Sequence, residues 1–253
     1  MSNTMLLYKN VTALSRDTHK SLKLDPVTGF EVAAKTHWVP TAGVELYQAA
    51  HHYPVVFVNE NHNGDVTTTP LLLLGLEAGR NDFVASDYSW KKGCYIPAFI
   101  RRYPFVIAAA NKDASEFTLC FDSSFPGFNK KKGKALFTKE GKNSEFLEET
   151  LQFMNGFNIE MKRTREFVDL LNKHLLLEKC AAQIVSSTNV AFNVQDFLVV
   201  SEKKLANLDG EALVELNQKG YLGWITAHLM SLSNLPKLLD MHLENKSSAD
   251  VKH

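Results

Sequence analysis

Short apolar runs broken by Pro, Asn and Gly fill the first half of this chain, and one long helical stripe dominates the second. "YPVVFVNE" from Tyr53 and "PLLLLGLEAG" from Pro70 are too short and too well bounded for helices and read as buried strands. Between them Asn63-Gly64 is a tight-turn dipeptide, which predicts a β-hairpin. The plan returns in "RYPFVIAAA" from Arg102, the turn-like "NKDAS" and "EFTLCFD" from Glu116, a second hairpin. "HYPVVFV" and "RYPFVIA" share a basic or imidazole residue, Tyr, Pro and four apolar positions. Proline suits the first position of a strand, where a missing N–H costs the ladder nothing, and it pushes the preceding Tyr toward extended backbone. A strand-entry device used twice accounts for the match more simply than a duplication.

After the loop "FPGFNKKKGKALF" the period changes. Leu147, Leu151, Met154, Phe157, Met161, Thr164, Val168, Leu171 and Leu175 keep helical spacing, a stripe that reads as core or a helical interface rather than as a ligand-binding surface. Asn143 or Ser144 is placed to cap the start, with Glu148 and Glu149 in the first turn. Gly156 is the one point of interruption; without a break the helix runs about nine turns. "CAAQIVSSTNVAFNVQDFLVVSE" returns to strand character. Ser201 and Asp209 are N-cap candidates for two further helices, Gly220 ends the second, and Pro236 stops or bends a last amphipathic segment.

These elements predict an α+β protein: a strand-rich N-terminal half with two β-hairpins and a helix-rich C-terminal half packed on the sheet. One mixed domain over residues 1–253 is expected, divisible at most into 1–140 and 141–245, with 246–253 as a flexible polar tail. At 253 residues such a chain buries roughly 70–75% of its unfolded surface and needs no disulfide or structural metal.

Charge changes the picture little. Lys+Arg and Asp+Glu are 28 each, so no global field favours nucleic acid or an anionic membrane, although a local patch stays open. Cys94, Cys120 and Cys180 are far apart and form no Cys-x-x-Cys pair, as expected for reduced thiols. The N-terminus has no apolar core long enough for a secretory signal, and the "LLLLGL" run is too short to cross a bilayer. The expectation is a cytoplasmic protein with no membrane insertion.

Phosphate-binding glycine loops and the Gly-x-Ser-x-Gly elbow are missing. No cofactor is expected. Nine histidines include His37, His51, His52 and His62 in loop-like sequence, weak candidates for a metal site assembled from distant segments. His242 and Glu244, in "HLE", read as an exposed pair near the end of a helix, and His228 as a core histidine held by one hydrogen bond. Arg101-Arg102 stand at the mouth of an apolar strand. In extended backbone they face opposite ways, so one is expected to pair with an internal acid such as Asp82, Asp87 or Asp122. Two arginines there also suit a carboxylate or phosphate, with Trp90, Tyr95, Phe99 and Tyr103 lining a shallow pocket or forming core between the hairpins.

Several segments carry a likeness. "LLGLEAGRNDF", "GCYIPAFIRRYPF", "LCFD", "ALFTKEGKNSEFL", "RTREFVDLL", "FLVVSEKKLANL" and "LNQKGYLGWITAHLMSLSNLPKLL", in this order, resemble the bacterial SapC-like family, associated by name with surface-layer proteins. The likeness runs from about Tyr8 to Leu239. It brings no catalytic positions to carry over and nominates "YIPAFIRRYPF" as the most recognisable segment. Family genes tend to lie near those of outer-membrane uptake receptors and flavin-dependent tryptophan-halogenase-like proteins, which implies an accessory role in nutrient uptake or surface-layer physiology. An unrelated permease shares the name; its transmembrane helices have no counterpart here.

The resulting expectation is a non-catalytic binding or accessory protein. Its ligand-binding residues would be Arg101, Arg102, Trp90, Tyr95 and Tyr103, and it would meet a small anionic ligand or a protein partner, with no nucleic acid. The alternatives are a metal-dependent enzyme using the loop histidines and an obligate interaction module built on the Leu147 to Leu175 stripe, which would form a homodimer.

Overall fold

A computed structural model describes residues 6–26, 28–62, 65–109 and 117–250. In chain order its elements begin with β1 (Val11–Ala13), α1 (Arg16–His19), β2 (Lys23–Leu24), β3 (Trp38–Pro40), α2 (Leu46–Ala49), β4 (Val55–His62), β5 (Asp65–Leu73) and α3 (Ala98–Arg101). There follow β6 (Phe105–Ala109), β7 (Phe117–Asp122), β8 (Phe128–Asn129), β9 (Lys134–Ala135) and the long α4 (Glu145–Lys173). The last are β10 (Leu177–Val185), β11 (Ala191–Val200), α5 (Glu202–Ala206), α6 (Gly210–Gln218), α7 (Tyr221–Ser231) and α8 (Leu235–Asp250). The class is α+β, strand-rich first and helical later.

Three antiparallel sheets result. The largest has the order β10-β11-β4-β5-β3, and two three-stranded sheets run β1-β7-β6 and β8-β2-β9. Both expected hairpins form: Val55 lies opposite Leu72 in β4–β5, and Phe105 opposite Phe121 in β6–β7. The Asn63-Gly64 turn and the "NKDAS" turn fall outside the described residues. Pro54 and Pro104 each stand just before the first strand residue. Each offers its carbonyl to the partner strand, accepting from Leu73 N at 3.0 Å and from Asp122 N at 2.9 Å. The likeness reaches back one step further, because each Tyr-Pro follows a one-turn helix, α2 or α3.

The main core lies where the large sheet meets α7 and the C-terminal half of α4, around Tyr53, Phe57, Leu72, Phe167, Leu171 and Trp224. A second core joins Leu24, Phe105, Phe121 and Leu136 to the N-terminal half of α4 through Leu147 and Met154. One helix therefore serves two cores. Gly156 does not break it, and its 29 residues make about eight turns. Leu175, the last of the expected stripe, lies beyond the helix end with φ 53° and is exposed.

The caps follow local chemistry. Ser144 Oγ accepts from Leu147 N at 3.1 Å, satisfying one of the first-turn donors that have no intrahelical partner. Ser144→Ala should cost about 1 kcal/mol of unfolding free energy in urea titration; an unchanged midpoint would mean water replaces the cap. Asp209 caps α6 through Ala212 N, and Gly220 takes the left-handed φ of 75° that ends it. Ser201 precedes α5 without a side-chain cap. Pro236 sits in the first turn of α8, where its missing N–H is tolerated, after a 3-10 turn at Leu232–Asn234. α8 continues to Asp250, past the point where a flexible tail was expected.

Candidate functional site

Arg101 and Arg102 are not in extended backbone. They end the helical turn of α3, where Arg101 N bonds to Pro97 O and Arg102 N to Ala98 O. The hydrophobic "PAFI" buries Ala98, Phe99 and Ile100, so the turn is held by its own apolar side. The two arginines still diverge. Arg101 is exposed, donates Nε to Ile96 O at 2.9 Å and Nη2 to Tyr95 Oη at 3.0 Å, and crosses the rings of Tyr95 and Phe153. Arg102 is only 5% exposed, with its guanidinium carbon 3.9 Å from the centre of the Phe99 ring and a hydrogen bond to Tyr8. Burial pulls its pKa down, and the Tyr8 hydroxyl partly offsets that.

The three acids proposed as partners are engaged elsewhere. Asp82 meets Arg80 at 2.8 Å and His242 at 3.0 Å. Asp87 accepts from Ser89 in its own turn. Asp122 gathers the N-terminal segment, accepting from Lys9 N, Asn10 N and Ser124, with the Tyr103 hydroxyl at 3.4 Å. Burial alone would raise the Asp122 pKa, but those donors outweigh it and hold it below the ordinary carboxylate range.

The cleft that matters lies beside Arg102, between α4 and β5. Its volume is about 590 Å³, within the size range of small-molecule sites. Phe99, Arg102 and Ile107 form one end. Phe157, Met161 and Val168 line the helix side, and Thr67 to Pro70 the strand side. Arg165, Asn158 and Glu60 add polar atoms. The middle of the α4 stripe was expected to be core. It instead faces this space, which is why Phe157 and Met161 are half-buried while Leu147 and Leu171 at either end are fully packed.

Of the five residues nominated from sequence, only Arg102 lines the cleft. Trp90 is core, with its Nε1–H donating to Tyr53 Oη at 3.2 Å. Tyr95 donates to Glu45 Oε1 at 2.7 Å, and burial, then Glu45, pushes its pKa up to about 12. Tyr103 stacks tilted on Tyr8 and turns its hydroxyl to Asp122. No sequence signal marks Glu45, a buried acid in the short turn before α2. Its Oε1 also accepts from Ala98 N at 2.7 Å and its Oε2 from Ala42 N at 3.2 Å, so it fastens α3 and thereby Arg102.

The histidines do not converge. His37 and His52 have pKa values lowered chiefly by burial, and His51 and His52 lie side by side with ring centres 6.2 Å apart. His62 closes β4, and its side chain lies outside the described residues. Among the described residues no group of three His, Cys, Asp or Glu is placed to hold a metal ion. His228 is fully buried and makes two hydrogen bonds where one was expected, to Val55 O and from Val200 N. His242 is a correction. It is 2% exposed against Asp82, not a surface residue, because Leu235, Leu238, Leu239 and His242 share the inward face of α8. All three cysteines are free thiols with pKa values raised by burial.

The family model described as SapC matches residues 14–238. The chain belongs to the SapC family. No curated protein matches it, and no solved structure does. In this SapC chain the family match spans every residue named in the cleft, from β4 through α4. Among the described residues no helix is long and apolar enough to cross a membrane.

Proposed function

We propose that this SapC-family chain is a non-catalytic cytoplasmic binding protein whose cleft takes a small ligand with one anionic group on an apolar body. The observation that carries this is the guanidinium of Arg102, almost buried in the wall of a cleft whose apolar lining comes from Phe99, Ile107, Met154, Phe157, Met161 and Val168. Arg stays charged when desolvated, and a charge-assisted bond to a carboxylate strengthens as water is excluded. The other polar groups of the lining are the hydroxyls of Thr67 to Thr69 and Thr164, the Asn158 amide, Arg165 and Glu60. They orient a ligand but offer no nucleophile activated by a neighbouring base. The role is accessory, in surface-layer or nutrient-uptake physiology, with the bound anion as the small molecule sensed or carried.

The long helix is better read as a cleft wall than as an interaction module. Its stripe is spent inside the chain, on two cores and the lining between them.

Isothermal titration with octanoate and 1-octanol tests the reading. Octanoate should bind and octanol bind at least tenfold more weakly, because only the carboxylate engages Arg102. Arg102→Met should remove the difference between the two probes. Met161→Trp, which fills the cleft from a half-buried helix position, should abolish binding of both while leaving the fold intact by circular dichroism. Equal affinity for the two probes in the wild type, or no binding of octanoate, would sink the proposal.

A further inference from the structure

The chain is neutral overall, yet its charges are not evenly spread. The loop that leads from β8 across the central strand β2 to β9 carries Lys130, Lys131, Lys132 and Lys134 within five positions and no acid, and all four are exposed. The neighbouring strand β2 adds Lys23, and Lys20 lies just before it. Asp25 pairs with Lys132 at 2.7 Å, and the Glu140 carboxylate feels the charge of Lys20. The turn at 138–142 extends the face: Arg16 Cδ and Lys20 Nζ stand 3.7 and 3.9 Å from where a side chain on Gly141 would begin, with Lys139 and Lys142 on either side of the Glu140-Gly141 pair.

The loop is built to present these charges. Asn129 Oδ1 accepts from both Lys131 N and Lys132 N at 2.8 Å, closing the turn from inside. Gly133 takes φ 94°, and a Cβ there would lie 2.3 Å from Leu24 O, so only glycine lets the strand return this close to β2. Lys23 Nζ bonds to Lys131 O at 3.2 Å across the top. Holding like charges together costs free energy unless a partner of opposite sign is met.

We infer that this face, Lys20, Lys23 and the Lys130 to Lys134 loop, docks the protein on an anionic lipid surface. The chemistry favours lipid over a polynucleotide. The four charges of the loop itself are lysines, whose compact ammonium suits a diffuse layer of headgroups rather than one fixed phosphate geometry, and Arg16 stands at the edge of the face beside Gly141. The tip is a projecting turn. The nearby rings of Phe125 and Phe128 are half-buried and packed edge-on against each other at 5.9 Å, so they offer no stacking platform for bases. The binding is peripheral and independent of the cleft.

Co-sedimentation of the full chain with vesicles tests it. The protein should pellet with an equal mixture of phosphatidylglycerol and phosphatidylcholine, stay in solution with phosphatidylcholine alone, and be released as salt shortens the screening length. Each lysine near the surface is worth about fivefold in binding, so Lys130→Gln with Lys131→Gln should weaken it roughly 25-fold. Both side chains are exposed, so the fold should survive. Lys179→Gln with Lys203→Gln, exposed lysines on β10 and α5, should leave binding unchanged. Failure of the wild type to bind the anionic vesicles, equal losses in the two double variants, or tighter binding to a single-stranded oligonucleotide than to the vesicles at the same salt would each overturn the inference.

Discussion

Asp82→Ala is expected to lower the unfolding free energy by about 3–5 kcal/mol, read as a shift in the urea midpoint. The carboxylate side chain is fully buried and accepts from Arg80 Nε at 2.8 Å, with His242 Nδ1 at 3.0 Å and Asn245 Nδ2 at 3.2 Å. Removing it leaves a 2% exposed imidazole on α8 without its strongest partner and loosens Arg80 on the other side. The backbone of Asp82 takes part too, its N bonding to Leu74 O at 2.7 Å and its O accepting from Asn245. The carboxylate therefore ties the end of β5 to the last helix, with Lys246 and Glu77 adding an ion pair at the rim. Combining the change with His242→Leu should recover part of the loss, because an apolar pair leaves no buried donor unsatisfied. A loss below about 1 kcal/mol in the single variant would show that water reaches the cluster and replaces the carboxylate.

Much of the fold was legible because its devices are local. Short apolar runs bounded by Pro, Asn and Gly gave β4–β5 and β6–β7, and a 3.6-residue stripe gave α4. What failed depended on contacts far apart in sequence. Arg101-Arg102 were read as strand residues because the helical turn of α3 is only Ala98–Arg101, too short for a periodic signal. Holding that turn takes Glu45, more than fifty positions upstream. Phe157 and Met161 were read as core because periodicity identifies an apolar face without saying whether protein or empty space covers it. Thr67 to Thr69 carried no signal at all; they reach the cleft only because β5 pairs with β4 in one register. His242 was the avoidable error, since its i, i+3, i+4, i+7 relation to Leu235, Leu238 and Leu239 already places it inward.

Acidification is expected to remove about 3 kcal/mol of stability between pH 6.5 and pH 4 through His228 alone. Its ring is fully enclosed, with Phe57 edge-on at 5.0 Å, and burial, partly opposed by the bond to Val55 O, lowers its pKa from 6.5 to about 4. The hydrogen bonds fix the neutral form. Val200 N–H donates to Nε2 at 3.1 Å, so the proton sits on Nδ1 and is donated to Val55 O at 3.0 Å. Adding a second proton at Nε2 would set two donors against each other and break the tie between α7, β4 and β11. Above pH 6.5 both folded and unfolded imidazoles are neutral and nothing is lost. Below it the unfolded chain takes up the proton first, so stability falls until the folded ring also titrates near pH 4. The carboxylates held below their ordinary range, such as Asp122 and Glu215, withdraw their own stabilisation from about pH 5 downward, in the wild type and the variant alike, so the difference between the two profiles isolates the imidazole. His228→Gln keeps one donor and one acceptor but cannot charge. Urea titrations of both proteins across the window should show a steep profile for the wild type and one flatter by about 3 kcal/mol for the variant, whatever the variant loses at neutral pH. Identical slopes would mean that the ring opens to water before it protonates.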